Sequence, residues 1–347
     1  MLHVGLDLSR HRLDVHVLSE DGTTVAVDTW PPDADGLAHL ARQVASLGGQ
    51  ANAVIESMNG ARFVHDTLEL HGWNVEIADA LRVKGLAPLA CKTDKIDAKV
   101  LAELSRRDLV PAIWLPSPSV RAERERARFR LHLVHHRVAL KNRVHATLLA
   151  FGHPCPVSDL FGESGRQLLD RLAIPEPWAG TVNAPLRLID ELGGEIDACE
   201  QELRRLGADH PYVSLLQSMP GIAWVLAYTI ASEIGDIARF ESPKKLIGYT
   251  GLCPRVYQSG GTDRRGPIAK NGPTYLRWAL IEASIHACRH PLYRPAYDRT
   301  KTRLGRSRGG KVARVELGRK LAEAMWHMLT KGERFAPARS QVDALVA

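Results

Sequence analysis

The chain has 347 residues, a formal net charge of +7, and 24% charged against 45% hydrophobic residues. That length exceeds one compact core and suggests two or three domains of roughly 100–150 residues each, while the ordinary composition excludes a fibrous or wholly disordered protein. No run approaches about 18 uncharged apolar residues, and the N-terminus lacks a charged start followed by an apolar stretch. Neither a membrane span nor a secretory leader is therefore expected. The five cysteines (Cys91, Cys155, Cys199, Cys253, Cys288) include no Cys-x-x-Cys pair. They suit buried small residues in a reducing cytosol, not zinc ligands or a disulfide frame. Bases outnumber acids in Arg121–Arg143 and again in Arg255–Lys320, which fits a polyanion partner.

Residues 2–30 read as three strands: an apolar Leu2–Leu8, an alternating Leu13–Leu18, turn chemistry at Glu20-Asp21-Gly22, and a resumed pattern at Thr24–Val27. A helix near Ala34–Leu47 follows, then strand Ala53–Glu56, helix Ala61–His71, strand Asn74–Ala78 and helix Asp94–Asp108. Three meandering strands and then strand–helix units give the order of an RNase H-like α/β domain. Leu115-Pro-Ser-Pro118 marks a break. Beyond it, Leu131, Val134, Val138, Lys141, His145 and Leu148 fall at three- and four-residue steps, as do Ile189, Leu192, Ile196, Cys199, Leu203 and Leu206. Two long helices are expected, either forming a coiled coil or packed on each other within one chain. The Pro- and Gly-rich segment 152–185 between them reads as a loop or lid. From Pro211 the chain is helical with loops: Gly251–Gly272 reads as a loop, Tyr275–Arg289 and Val312–Leu329 as helices, and the basic Arg299–Lys311 as mobile without a ligand. The expected domains are 1–112, 113–210 and 211–335, with a tail at 336–347.

Four acids carry the first chemical signal. Asp7 ends one apolar strand, Glu56 ends another, and Asp94 and Asp97 open a helix. Clustered carboxylates repel unless something neutralises them, and hard oxygen ligands of this kind suit Mg²⁺ or Mn²⁺ rather than zinc. Helix capping is the alternative reading of Asp94 and Asp97. Asp14, on a solvent-facing alternation, and Asp79, at a strand end, are left out of the constellation.

The second signal is Gly248-Tyr249-Thr250-Gly251 running into Gln258-Ser259-Gly260-Gly261 and on to Lys270-Asn271-Gly272. Ser259 before two glycines lets backbone amides approach a ligand closely, and Arg264, Arg265 and Lys270 bring positive charge. A simple turn is the alternative. No histidine stands at an obvious spacing to deprotonate Ser259.

With these motifs in hand, the whole chain resembles the DEDD-type insertion-sequence transposases, recombinases guided by a bridge RNA. Gly5-Leu6-Asp7, Ile55-Glu56 and Thr93-Asp94-Lys95-Ile96-Asp97-Ala98 resemble that family's RuvC-like N-terminal domain. Pro220-Gly221-Ile222, Tyr249-Thr250-Gly251-Leu252 and Gln258-Ser259-Gly260-Gly261 resemble its C-terminal transposase domain. The resemblance implies that Asp7, Glu56, Asp94 and Asp97 hold Mg²⁺ or Mn²⁺, and that Ser259 is a nucleophile forming a phosphoserine link to a DNA 5′ end. It further implies donor and target double-stranded DNA, a structured non-coding guide RNA and a homo-oligomer as partners. The setting it implies is the bacterial cytoplasm, with nucleoid association when active. Candidate nucleic-acid contacts are Arg255, Gly260, Gly261, Arg264, Arg265, Lys270 and Arg277. The chain departs from a helix-hairpin-helix turn at Ala223, where a second glycine is common. Three rival functions stand: a junction resolvase using water, a sugar kinase suggested by Gly5-Leu6-Asp7-Leu8, and a non-catalytic nucleic-acid-binding protein. The kinase is disfavoured by the absence of later Asp-x-Gly and Gly-Gly nucleotide turns.

Overall fold

A computed structural model describes residues 1–86, 94–153, 155 and 157–336, apart from the side chains of Asp94 and Lys95. The chain divides into two compact units, Met1–Leu115 and the remainder from Pro116.

The first unit is a mixed sheet of β1 (Leu2–Leu8), β2 (Leu13–Ser19), β3 (Thr24–Trp30), β4 (Ala51–Glu56) and β5 (Asn74–Ala78) with helices on both faces. The strand order is β3-β2-β1-β4-β5; β1 runs antiparallel to β2 and parallel to β4. Period-two alternation sorts each strand's side chains between the two faces. Leu2, Val4, Leu6 and Leu8 join a core with Leu37, Leu40 and Val44 of α1 (Ala34–Ser46) and Val64 and Leu68 of α2 (Ala61–Leu70). Each such leucine contributes roughly 1.5–3 kcal/mol by leaving water. Asp33 begins α1 by accepting a hydrogen bond from the Gly36 amide at 2.8 Å. After α3 (Ala80–Leu86), α4 (Asp94–Arg106) covers the opposite face, where Leu101 and Leu104 pack with Val54 and Ala78. The helix stops short of Asp108, which adopts a left-handed backbone (φ 53°).

The second unit opens with α5 (Pro118–Ala150), whose Pro118 follows an N-cap at Ser117. It continues through α6 (Glu163–Arg171) into α7 (Gly180–Gly207). Helices α5 and α7 run antiparallel on each other within the chain. Arg126 pairs with Glu202 at 3.3 Å and Arg130 with Glu200 at 2.5 Å near one end, while Val144 and Leu148 meet Val182 and Leu186 near the other. The stepwise apolar spacing thus serves an intrachain pair. A Cβ on Gly193 or Gly194 would meet nothing within 4 Å, so both lie on an open side of α7. Segment 152–185 is not a plain loop: α6 brings Leu169 onto Leu160, Val144 and Leu186 in a small core of its own.

The larger core surrounds α9 (Trp224–Ile234), which follows the short α8 (Val213–Leu216) and is buried on all sides from Ala227 to Ile234, as expected of a helix apolar all round. Around it lie α10 (Pro243–Tyr249), α11 (Thr274–Ala287) and α12 (Arg294–Lys331). Two expectations fail here. Gly251–Gly272 is not a loop but contains an antiparallel hairpin, β6 (Pro254–Ser259) with β7 (Thr262–Ile268). Arg299–Lys311 is helical, part of α12, which reverses at Gly305. Among the described residues no helix is long and apolar enough to cross a membrane. Four cysteines are free; Cys155 is exposed and Cys199, Cys253 and Cys288 are half-buried, so these four are less enclosed than their residue type suggested. Cys91 lies outside the described residues.

Candidate functional site

Two places carry the chemistry singled out from the sequence, one in each unit. In the first, a glycine sets the geometry. A Cβ on Gly5 would overlap the Ala98 carbonyl oxygen and stand 2.6 Å from the Ala102 amide. Helix α4 therefore lies with its backbone directly on β1. Asp7, two residues along, shares the Gly5 face, as does His3, whose Nδ1 is 3.0 Å from the Ser105 hydroxyl of α4. Glu56 shares a face with Val54, which packs on Leu101. Parallel pairing of Leu6 with Ile55 makes Asp7 and Glu56 the next step of the same register. Asp97, adjacent to Ala98, stands on the helix covering this face. All three are half-buried, at the carboxyl ends of parallel strands, where α/β sheets commonly place ligands. Their donors are hard oxygens, which fit Mg²⁺ or Mn²⁺. The fourth acid, Asp94, opens α4, but its side chain lies outside what is described. Among the described residues no three His, Cys, Asp or Glu side chains form a preassembled metal-binding group.

Asp14 is not solvent-facing. It is 2% exposed, directly opposite Asp7, and accepts hydrogen bonds from Arg12 Nε at 2.7 Å and Thr29 Oγ1 at 3.0 Å. Strand β2 is covered on both faces, because α4 spans it as well as β1, and the arginine balances the charge. Asp79 caps α3, accepting from the Leu81 and Arg82 amides at 3.0 and 3.3 Å.

In the second unit, Ser259 ends β6 and pairs with Thr262 across the two-residue turn Gly260-Gly261. Both glycines have positive φ, 53° and 80°, the type I′ geometry that glycine adopts without steric cost. The hairpin from Arg255 to Arg265 is exposed throughout. Such a two-stranded ribbon is marginal alone in water, which suits a surface completed by a partner. Cross-strand register sorts the side chains. Tyr257 (62% exposed) and Arg264 share the face of Ser259, whereas Arg265 lies on the other. There Arg265 is bound to Asp263 at 2.9 Å, and that hydrogen bonding holds the Asp263 carboxyl below its ordinary range. Among the described residues nothing hydrogen-bonds the Ser259 hydroxyl. Tyr257 was not anticipated, although strand alternation with Ser259 would have marked it.

The hairpin stands on a braced base. Ala269 donates to the Cys253 carbonyl at 2.8 Å and Lys270 to the Gly251 carbonyl at 3.1 Å. Lys270 itself is left-handed (φ 61°), a conformation uncommon outside glycine. Arg277 lies at this base, not on the exposed strands. Partly buried, it donates long hydrogen bonds of 3.4 Å to the Thr250, Lys270 and Gly272 carbonyls. Beneath, Arg124 donates to the Ser232 carbonyl at 2.8 Å and the Tyr249 hydroxyl at 3.3 Å. Arg128 grips the fully buried Glu233 through two bonds of 2.6 and 2.9 Å. Burial alone would lower the Arg128 pKa; Glu233 raises it on balance. Gly221 (φ 80°) serves packing, since a Cβ there would stand 2.5 Å from the Ala283 carbonyl oxygen of α11.

Comparison with known proteins matches both places. A family model of DEDD-type IS110 transposases matches residues 4–153, and the transposase IS116/IS110/IS902 family model matches residues 213–298. The transposase for insertion sequence element IS1328 of Yersinia enterocolitica is 27% identical, over 96% of this chain and 98% of its own length. The transposase for insertion sequence element IS1111A of Coxiella burnetii is 24% identical over 81% and 78%. The pilin gene-inverting protein of Moraxella bovis is 26% identical over 62% and 60%. The chain belongs to the IS110/IS116 family of insertion-sequence transposases.

Proposed function

We propose that this transposase cuts and rejoins DNA by transesterification, with Ser259 as nucleophile and an RNase H-like carboxylate domain that binds a divalent ion. The placement of Ser259 at an exposed type I′ tip, with Arg264 and Tyr257 on its face, carries this reading. The Ser259 Oγ attacks the scissile phosphorus, an Oγ–P bond forms, and the P–O3′ bond breaks. The departing 3′ oxygen takes up the proton the serine has lost, leaving a 5′-phosphoserine link. Attack by a second 3′ hydroxyl reverses these bonds and joins a new strand pair, with no outside energy source. Arg264 holds a non-bridging phosphate oxygen, and the amides of Gly260 and Gly261 approach it without side-chain obstruction. Asp7, Glu56, Asp94 and Asp97 would hold Mg²⁺ or Mn²⁺. When bound, the ion would neutralise charge on a DNA phosphate brought to these carboxylates.

Ser259→Ala is expected to abolish the covalent protein–DNA species on a denaturing gel; an undiminished species would refute the nucleophile. That no group among the described residues hydrogen-bonds the hydroxyl favours one rival, hydrolysis by water as in a resolvase, which releases 5′-phosphate ends with no adduct. The serine's face yields a second expectation. Arg264→Ala should slow adduct formation by about 100-fold or more, within the range for losing one transition-state donor. Arg265→Ala, on the opposite face, should have a far smaller effect. Equal losses would contradict the assignment of faces. The family resemblance further supports guidance by a structured RNA, and a homo-oligomer. A discrete transcript co-purifying with the protein would support the guide; only random cellular RNA would oppose it.

A further inference from the structure

Helix α12 carries a feature outside the serine hairpin and the carboxylates. At Gly305 the backbone takes φ 73° and ψ −179°, a combination essentially confined to glycine. The chain then folds back on itself. A Cβ on Gly309 would overlap the Lys301 carbonyl oxygen, and the Thr300 hydroxyl donates to Glu316 at 2.6 Å. Thr300, Gly309 and Ala313 are buried in this reversal, so its tip is a built structure. From Arg299 to Arg314 the sequence holds seven bases (Arg299, Lys301, Arg303, Arg306, Arg308, Lys311, Arg314) and no acid. Among the described residues only Arg303 has a carboxylate partner within ion-pair reach, Glu316 at 3.9 Å.

We infer that this reversal is a phosphate-binding arm for duplex DNA, used for holding and not for reading sequence. Arg299, Lys301, Arg306, Arg308 and Lys311 are exposed, and exposed bases on a fixed scaffold attract a dense line of phosphates. The segment has no Asn, Gln, Asp or Glu, which commonly contact adenine and cytosine edges; its arginines and lysines suit phosphates and, of the bases, guanine alone, and phosphate contacts position without specifying. It has no aromatic residue either, so it lacks the stacking platform by which proteins hold single strands. The exposed Gly305 and Ser307 keep the tip slender enough for close approach to a backbone. The inference rests on the transposase reading only for the class of partner; it does not depend on Ser259.

The test measures duplex binding by the full-length protein across a salt series, with one DNA duplex, a second of unrelated sequence, and an RNA hairpin. Each lost phosphate contact lowers the slope of log K against log salt by about 0.9. The triple variant Arg306→Gln, Arg308→Gln, Lys311→Gln should therefore lose about 2–3 in slope and weaken binding on the order of a hundredfold at 0.1 M salt. Both DNA sequences should be affected equally. Gly305→Ala retains every charge and should also weaken DNA binding if the fold of the arm matters. An unchanged slope in the triple variant overturns the arm, as does a loss confined to one DNA sequence. A loss confined to the RNA hairpin assigns the arm to RNA and overturns DNA holding. Adduct formation on a nicked oligonucleotide, followed separately, reports on Ser259, so either idea can fail alone.

Discussion

Replacing Asp7, Glu56 or Asp97 with its amide is expected to remove divalent-ion-dependent strand cleavage, each lowering the rate by about 10³-fold or more. That factor corresponds to roughly 4 kcal/mol of transition-state stabilisation, a magnitude appropriate to a metal-binding carboxylate. The amide keeps size and hydrogen-bonding capacity while deleting the charge, and all three residues are only half-buried, so the fold should survive. Asp14→Asn is the informative contrast. Asp14 is already bound by Arg12 and Thr29, so its replacement should lower thermal stability while leaving Mn²⁺-dependent cleavage nearly intact. Cleavage rates across a Mn²⁺ titration, with a melting curve for each variant, make the comparison. Unchanged cleavage by Asp7→Asn or Asp97→Asn would remove that residue from the site.

Glu233→Ala is expected to destabilise the second unit by about 3 kcal/mol. Removing one partner of a buried ion pair leaves the other charge uncompensated, typically at 3–5 kcal/mol. The lower end applies because the Arg128 side chain keeps 35% of its exposure. Glu233 is fully enclosed in α9 and holds α5 through Arg128, while Arg124 links the same stretch to Tyr249. Tyr249 leads directly into the hairpin base, so the serine tip should also become less ordered. Urea denaturation of the full chain measures the loss, and Arg128→Ala with the double variant isolates the pair. A loss below about 1 kcal/mol would show that the pair is replaceable.

Much of the first unit was legible because its strands and helices follow the period-two and helical patterns closely. The elements from Leu2 to Ala78 lie near where alternation put them. What alternation could not show was burial on both faces: β2 reads as half-polar, yet α4 covers it, and so Asp14 appeared exposed. That covering follows from Gly5, whose missing side chain admits a helix backbone, a tertiary fact that strand pattern does not encode. The serine hairpin was hidden for a related reason. Its exposed apolar residues, Val256 and Tyr257, are adjacent and so fall on opposite faces; no apolar face marks strands, and only Gly260-Gly261 betrays a type I′ turn. In α12, glycine and arginine density looked like mobility, whereas Gly305 is a fixed reversal and Gly309 a contact point. The carboxylates and the serine were recognisable as residue types at suggestive positions. Their support, through Gly5, Arg124, Arg128 and Glu233, involves partners up to 125 residues apart in sequence and emerges only in the folded chain.

The most direct measurement is mass spectrometry of the protein–DNA species trapped under denaturing conditions, after digestion of both polymers. A nucleotide joined through its 5′ phosphate to the peptide containing Ser259 is the expected result. Attachment at any other residue, or strand cutting whose 5′ phosphates carry ¹⁸O from labelled water with no attached peptide, would contradict the serine mechanism.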